Sequence, residues 1–221
     1  MKKKIGIIIG LVALFGVGGG MMLSNHAQDS NHNQVDLSKF GAALQKDYQK
    51  SEQNGIKKSK AKEEIYAKGN YSEITKSNMK KALVYYKSAG MSNEEAEKEA
   101  YKYEKENAAL YTEAIKAGYE VTDEEVADYV NNIRAEYEGK KVDETSLKQI
   151  DEIIAQFDSP EDYWKYEKTI YHELLPMIKY NKQLEKEYNE KHADASEEDW
   201  EKYFNNYKSE LVEKEDFKLV K

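Results

Sequence analysis

The stretch from residue 92 to residue 138 constrains the fold more than any other part of the chain. It reads SNEEAEKEAYKYEKENAALYTEAIKAGYEVTDEEVADYVNNIRAEYE. Ser92 is a helix N-cap, with Glu94 and Glu95 in the first turn, where the positive end of the helix dipole favours acids. Ala96, Ala100, Tyr103, Asn107, Leu110, Tyr111, Ala114 and Ile115 then recur every three or four residues, which places a mostly apolar stripe on one face. Gly118 ends the helix, because glycine takes the left-handed conformation past a helix end without a Cβ penalty. Thr122, Asp123, Glu124 and Glu125 form a capping box that starts a second helix, with Val126, Tyr129, Val130, Ile133 and Tyr137 on its apolar face. The pattern predicts a long helix, a short link and a second helix, which by itself is also what a generic helical hairpin looks like.

The rest of the chain follows the same grammar. Thr75 is an N-cap for a helix carrying Met79, Ala82, Leu83 and Tyr86, ended by Gly90. Gly139, Lys140 and Lys141 form a turn. Leu147, Ile150, Ile153, Ile154 and Phe157 recur at helical spacing. Ser159 and Pro160 start a long helix with Tyr163, Tyr166, Ile170, Leu174, Ile178 and Leu184 on one face, and Pro176 inside it predicts a kink near His172 and Glu173. Ser196 starts a last helix with Tyr203, Phe204, Tyr207 and Leu211 apolar.

The N-terminal part differs. Lys2, Lys3 and Lys4 precede an apolar run of about nineteen residues at 5–23, close to the ~20 that cross a bilayer as a helix. The lysines hold that end in the cytoplasm and place the rest outside. Cleavage after Ala27 would leave Asn25 at the −3 position, and cleavage after Gly20 falls within the apolar run, so an uncleaved anchor is favoured over a removed signal. The expected organisation is an anchor or signal segment at 1–27, a polar basic tether at 28–64, a helical domain at 65–211 and a C-terminal tail at 212–221. Leu37, Phe40, Ala43 and Leu44 offer one or two helical turns within the tether. His26 and His32 stand among Asn, Asp and Ser and read as solvated residues in preference to a metal site.

Charge is divided along the chain. Residues 1–81 hold 14 basic and 7 acidic residues, a net +7, and residues 82–221 hold 20 and 35, a net −15. An acidic body argues against nucleic acid, which needs a basic face. The basic part reads as a solvated linker in preference to a contact with anionic lipid or wall polymer. The chain has no cysteine, which excludes disulfides, thiol catalysis and cysteine zinc sites.

Leu110, Ala114, Gly118, Val121, Thr122, Asp123, Glu124, Glu125 and Val126 lie in LYTEAIKAGYEVTDEEVADYV, which resembles the N-terminal chaperone domain of the SurA/PrsA family of extracytoplasmic foldases. There a helix ending in Leu-x-x-x-Ala-x-x-x-Gly leads into Val-(Ser/Thr)-Asp-Glu-Glu-(Val/Ile). Ile65, Ala67, Gly69, Ile74 and Thr75 resemble the strand, turn and Ile-Thr pair before that domain's first helix, although Gly-Asn replaces Asn-Gly. Tyr163, Trp164, Glu173, Leu174 and Leu175 resemble its last long helix. The resemblance spans about residues 65–211. The family's parvulin-type prolyl isomerase domain has no counterpart, since residues 212–221 give it no room.

The resemblance implies an all-α fold: a membrane helix followed by an extended SurA-like chaperone domain of five or six helices, with one short hairpin ahead of the first. It implies an ATP-independent holdase, without isomerase activity, that binds unfolded or newly secreted proteins at the extracytoplasmic face of a bacterial membrane, or free of it if the signal is cleaved. The alternative is an envelope adaptor holding one folded partner. The partners expected are unfolded or nascent proteins, and the membrane through residues 5–23. No cofactor, metal or catalytic residue is expected: there is no phosphate loop, Gly-x-Ser-x-Gly or His-Glu-x-x-His, and the paired acids are explained by capping. The oligomeric state is left open. Eighteen tyrosines, Trp164, Trp200 and six methionines could line a client cradle or fill a core poor in Leu and Phe. From helix-face position, the candidates for client contact are Tyr85, Tyr86, Tyr101, Tyr129, Tyr163, Trp164 and Tyr171.

Overall fold

The computed structural model describes residues 36–55 and 64–220, with side chains at 36–50 and 64–220. Its centre is the long helix of the 92–138 stretch. In chain order the elements are α1 (Leu37–Gly55), β1 (Ile65–Lys68), β2 (Glu73–Thr75), α2 (Lys76–Ser88), α3 (Asn93–Lys116), α4 (Asp123–Glu138), α5 (Glu144–Ile154), α6 (Pro160–Lys191), α7 (Glu197–Glu215) and β3 (Lys218–Leu219). Helix α3 packs against α2, α6, α7 and β2, while α4 packs on α6 and α1 on α2 and α5.

The helix starts fall where capping chemistry puts them. Ser92 and Thr122 each accept the backbone N–H three residues on, and Glu95 and Glu125 return the contact to the cap N–H. Thr75, Ser159 and Ser196 cap α2, α6 and α7 by accepting the N–H three residues on, and at Ser196 the Asp199 side chain also returns the contact to the cap N–H. Gly90 and Gly118 take φ of +85° just past the ends of α2 and α3. At the 139–141 turn the left-handed residue is Lys140, with φ of 51°, and not the glycine. Helix α6 is continuous through Pro176, which is buried within it.

The expected architecture is corrected in three respects. The domain is mostly helical, and the short hairpin ahead of its first helix is β1 paired antiparallel with β2, but β3 returns to pair antiparallel with the other edge of β1, giving an unexpected third strand in a sheet of order β2-β1-β3. The tail at 212–221 therefore carries an ordered strand. Secondly, the expected tether contains α1, whose Leu37, Phe40, Leu44 and Tyr48 are all buried. Those four residues recur at helical spacing, so the apolar face runs longer than the turn or two expected.

Thirdly, among the described residues no helix is long and apolar enough to cross a membrane. Even the 32-residue α6 interleaves its apolar face with Lys and Glu. Within the described residues the expected membrane helix therefore has no counterpart, and the membrane partner and membrane-face localisation have no support there. The apolar run at 5–23, on which those expectations rested, lies outside the described residues, as do His26 and His32.

Aromatic rings supply much of the core. Phe40 meets Tyr85 edge-on at 5.4 Å, Phe157 meets Tyr163 at 5.4 Å, and Tyr163 meets Trp164 at 5.0 Å. Each such pair adds about 0.5–1.5 kcal/mol beyond the area it buries. Tyrosine thus does here what Leu and Phe do in most helical cores.

Candidate functional site

A cleft of about 410 Å³ lies where the β1–β2 hairpin, α2, α3 and α6 meet. Its apolar lining comes from Ile74 on β2, Ala82 on α2, Ala108 on α3, and Ile170, Leu174 and Met177 on α6. The α6 residues recur at three- and four-residue spacing, so one face of that helix forms one wall. Three tyrosines add ring surface: Tyr103, Tyr111 and Tyr71. Tyr71 is 68% exposed and Tyr111 37%, which leaves their rings accessible to solvent.

Polar groups occupy fixed places in this apolar frame. Glu104 on α3 is buried and lines the cleft. Burial pushes its carboxyl up to about 8; the Glu173 carboxylate adds to the rise, while Lys81 and a hydrogen bond from Asn78 oppose it. Asn78 is itself held, because Thr75 donates its hydroxyl to the Asn78 Oδ1 at 2.8 Å and accepts the Asn78 N–H at 3.1 Å. The cap of α2 therefore orients the amide that meets Glu104. Asn107 hydrogen-bonds the Tyr103 hydroxyl one turn away. Lys81 reaches out of the cleft to Asp47 on α1 at 3.4 Å.

Such a site can hold an apolar or aromatic side chain against α6 and offer hydrogen bonds to whatever accompanies it. Of its two facing carboxyls, Glu173 is exposed and Glu104 is buried and hydrogen-bonded by Asn78. Among the described residues no group of three or more His, Cys, Asp or Glu could hold a metal ion.

The seven tyrosine and tryptophan candidates from the sequence do not form one surface. Tyr85, Tyr86, Tyr163, Trp164 and Tyr171 are buried in the core. Tyr101 is half-buried and stacks edge-on with Tyr66 at 5.6 Å, and the half-buried Tyr129 lies 5.2 Å from Tyr171. None of the seven lines the cleft. Of the tyrosines that do, Tyr71 lies in the β1–β2 turn, while Tyr103 and Tyr111 follow helical spacing on α3 as the candidates do on their own helices, so helix phase alone did not separate the two sets.

Glu104 carried a readable signal. It stands between Ala100 and Ala108 at four-residue spacing, on the stripe that faces the core. A charged residue there is uncommon unless it is paired or functional. A second aromatic group lies away from the cleft, between the end of α6 and the start of α7. Tyr188 lies 4.8 Å from Tyr203 and 5.6 Å from Trp200, with the ring of His192 at 4.5 Å. Compared with family models, with curated proteins and with solved structures, the chain matches none.

Proposed function

We propose that the chain is an ATP-independent holdase that binds exposed apolar segments of unfolded proteins in the cleft between the hairpin, α2, α3 and α6. The observation that carries this reading is the cleft's lining: an apolar wall with the flexible Met177, and rings at Tyr71, Tyr103 and Tyr111. Methionine's flexible thioether adapts to many shapes, and tyrosine offers a rigid amphipathic ring at low entropic cost, which together suit a site without one fixed sequence. Binding such segments lowers the free concentration of aggregation-prone chains and slows their association by mass action. The resemblance to the SurA/PrsA chaperone domain supports the same reading.

The test is light scattering of a chemically unfolded client diluted into rising amounts of the full-length chain. The expected result is dose-dependent suppression that Thr112→Trp, which fills the cleft from a half-buried position, abolishes. Suppression that is indifferent to Thr112→Trp rules out the cleft. No suppression rules out the holdase.

The second reading is an adaptor for one folded partner. It is favoured by the group at Tyr188, Trp200 and Tyr203, because partly exposed Trp and Tyr dominate protein–protein hot spots. A single stoichiometric partner whose capture requires Trp200 would select it.

A further inference from the structure

We propose that the cleft binds its client by strand addition: an extended segment of an unfolded chain lies along β2 and becomes a fourth strand of the sheet. This rests on the reading of the cleft as the client site and names what the site recognises, which is main chain in the extended conformation.

The sheet leaves β2 open on one side. Its order is β2-β1-β3, so among the described residues β2 is an edge strand. The register fixes which of its main-chain groups look outward. Gly69 donates its N–H to the Ser72 carbonyl at 2.8 Å, and Lys76 donates its N–H to the Glu64 carbonyl at 2.8 Å. In an antiparallel pair, residue pairs that exchange hydrogen bonds alternate with pairs that do not. Between those two bonded ends, Ile74 opposite Ala67 takes the bonded place, while Glu73 opposite Lys68 and Thr75 opposite Ile65 take the others. The N–H and carbonyl of Glu73 and the N–H of Thr75 therefore point away from β1.

The open side is the one that meets the cleft. Ser72, Glu73, Ile74 and Thr75 all line it. Successive strand side chains point to opposite faces, so a cavity set against one face of β2 would be lined by every second residue. A cavity lined by consecutive residues meets the strand at its edge. Neither β1 nor β3 contributes to the lining. The Ser72 hydroxyl is a second mark: its oxygen is buried and has no hydrogen-bond partner among the described residues. A buried hydroxyl is costly until something alongside bonds to it.

The size of the cleft selects a bare segment over a folded partner. About 410 Å³ matches sites that enclose a drug-sized ligand, or roughly three residues of extended chain. A strand that belongs to a folded sheet brings a packed layer about 10 Å behind it, for which a cleft of this volume has no room. Main-chain bonds to Glu73 and Thr75 would hold any sequence, while side chains on one face of the segment meet Ile170, Leu174 and Met177. That division gives affinity without one fixed sequence, and it excludes proline from the paired positions.

The test is calorimetry of the full-length chain with a blocked peptide, Ser-Val-Ala-Leu-Ala-Val-Ser, and two backbone esters of it. In one ester, lactic acid replaces both alanines. In the other, hydroxy acids replace the leucine and the valine nearest the C-terminus. Each keeps the side chains and removes N–H groups from one edge of the strand, the two esters from opposite edges. The expected result is that one ester binds about tenfold weaker than the parent peptide and the other stays within about threefold of it. On the protein, Glu73→Pro removes an outward N–H where an edge strand tolerates proline. It should bind the parent peptide about tenfold weaker than Glu73→Ala, which removes the same carboxylate and keeps the N–H. Two esters that bind alike overturn the inference and leave an apolar client cleft in place, as does a Glu73→Pro chain that binds like Glu73→Ala. The ester comparison uses the wild-type chain, so it decides even where Glu73→Pro does not fold. A parent peptide that does not bind overturns the inference as well, and the scattering assay then decides separately whether the chain is a holdase.

Discussion

The Glu215 carboxylate occupies the space that a Cβ on Gly69 would need. That oxygen accepts the backbone N–H of Tyr71 at 2.8 Å and of Ser72 at 3.1 Å, so the buried end of α7 holds the β1–β2 turn that feeds the cleft. Asn70 completes the joint by donating its side-chain amide to the Lys214 carbonyl at 2.8 Å and its N–H to the Glu215 carbonyl at 2.7 Å. Gly69→Ala is expected to cost about 1–3 kcal/mol, through overpacking against Glu215 and the Phe217 ring. Glu215→Ala should cost as much or more, because it leaves two N–H groups without their acceptor. Urea unfolding measures both, and an unchanged midpoint for Gly69→Ala would show that the turn shifts freely.

Lys208 on α7 and Glu106 on α3 form an ion pair at 2.9 Å with side chains only 9% and 17% exposed. Removing one partner strands the other in a poorly solvated place. Lys208→Met alone is expected to destabilise by about 2–4 kcal/mol. The double change Lys208→Met with Glu106→Leu should recover most of the loss, since apolar residues of similar volume pack where the pair was. A double-mutant cycle that sums additively would remove the pair from the account of how α7 is held.

Stability should fall as pH rises from about 5 to about 8. Burial raises the carboxyl of Glu104 to about 8 and that of Glu167 to about 7, the latter against a hydrogen bond from Tyr163 that lowers it. A raised carboxyl means that the folded state holds the proton more tightly than the unfolded chain. Its contribution is full below the unfolded value, near 4.5, and is lost as pH passes the folded value. Each group can change stability by up to ~1.4 kcal/mol per pH unit within its window. Glu167→Gln should flatten a melting-temperature profile between about pH 5 and pH 7 and raise stability at pH 8, where the wild-type chain must bury a charge. A profile that rises from pH 5 to pH 8 in the wild-type chain would contradict the burial of both carboxyls as neutral acids.

The parts of this fold legible in the sequence are those decided within one helical turn. Ser92, Thr122, Ser159 and Ser196 announce their helices because a cap needs only the next three residues. Gly90 and Gly118 announce the ends for the same reason. What was not legible depends on meetings across the chain. The pairing of β3 with β1 joins Ala67 to Leu219, and two residues of strand carry too short a pattern to read. Tyr85, Tyr163 and Tyr171 share the helical spacing of Tyr103 and Tyr111, yet the first three are enclosed and the last two line the cleft. Only the packing of α2 and α6 against α3 decides which. Glu104 and Glu167 were legible as anomalies, each set on an apolar stripe, but not as members of a cleft or a core.

Thr122 joins the central helix pair through one short segment. Its hydroxyl accepts the Glu125 N–H at 3.1 Å, and Glu125 both returns a contact to the Thr122 N–H at 3.0 Å and reaches Lys179 on α6 at 2.8 Å. Thr122→Ala is expected to cost about 1 kcal/mol. Lys179→Ala leaves the cap intact and should cost less, because that contact is half-exposed. If the two variants melt together, the cap is not what fixes the start of α4.

The pairing of β1 with β3 sets an order on the making of the molecule. The first strand waits for the last: Ala67 cannot find Leu219 until roughly 150 further residues have been synthesised, and contacts at that separation form slowly. Helices α3 to α6 can collapse on one another as they leave the ribosome, by local contacts alone. The hairpin that walls the cleft rests on α2 and α3, and the final turn of α7 and the strand after it are the last parts to tie it down. Until then the nascent chain has an exposed apolar face of its own at the position where the finished protein has a cleft.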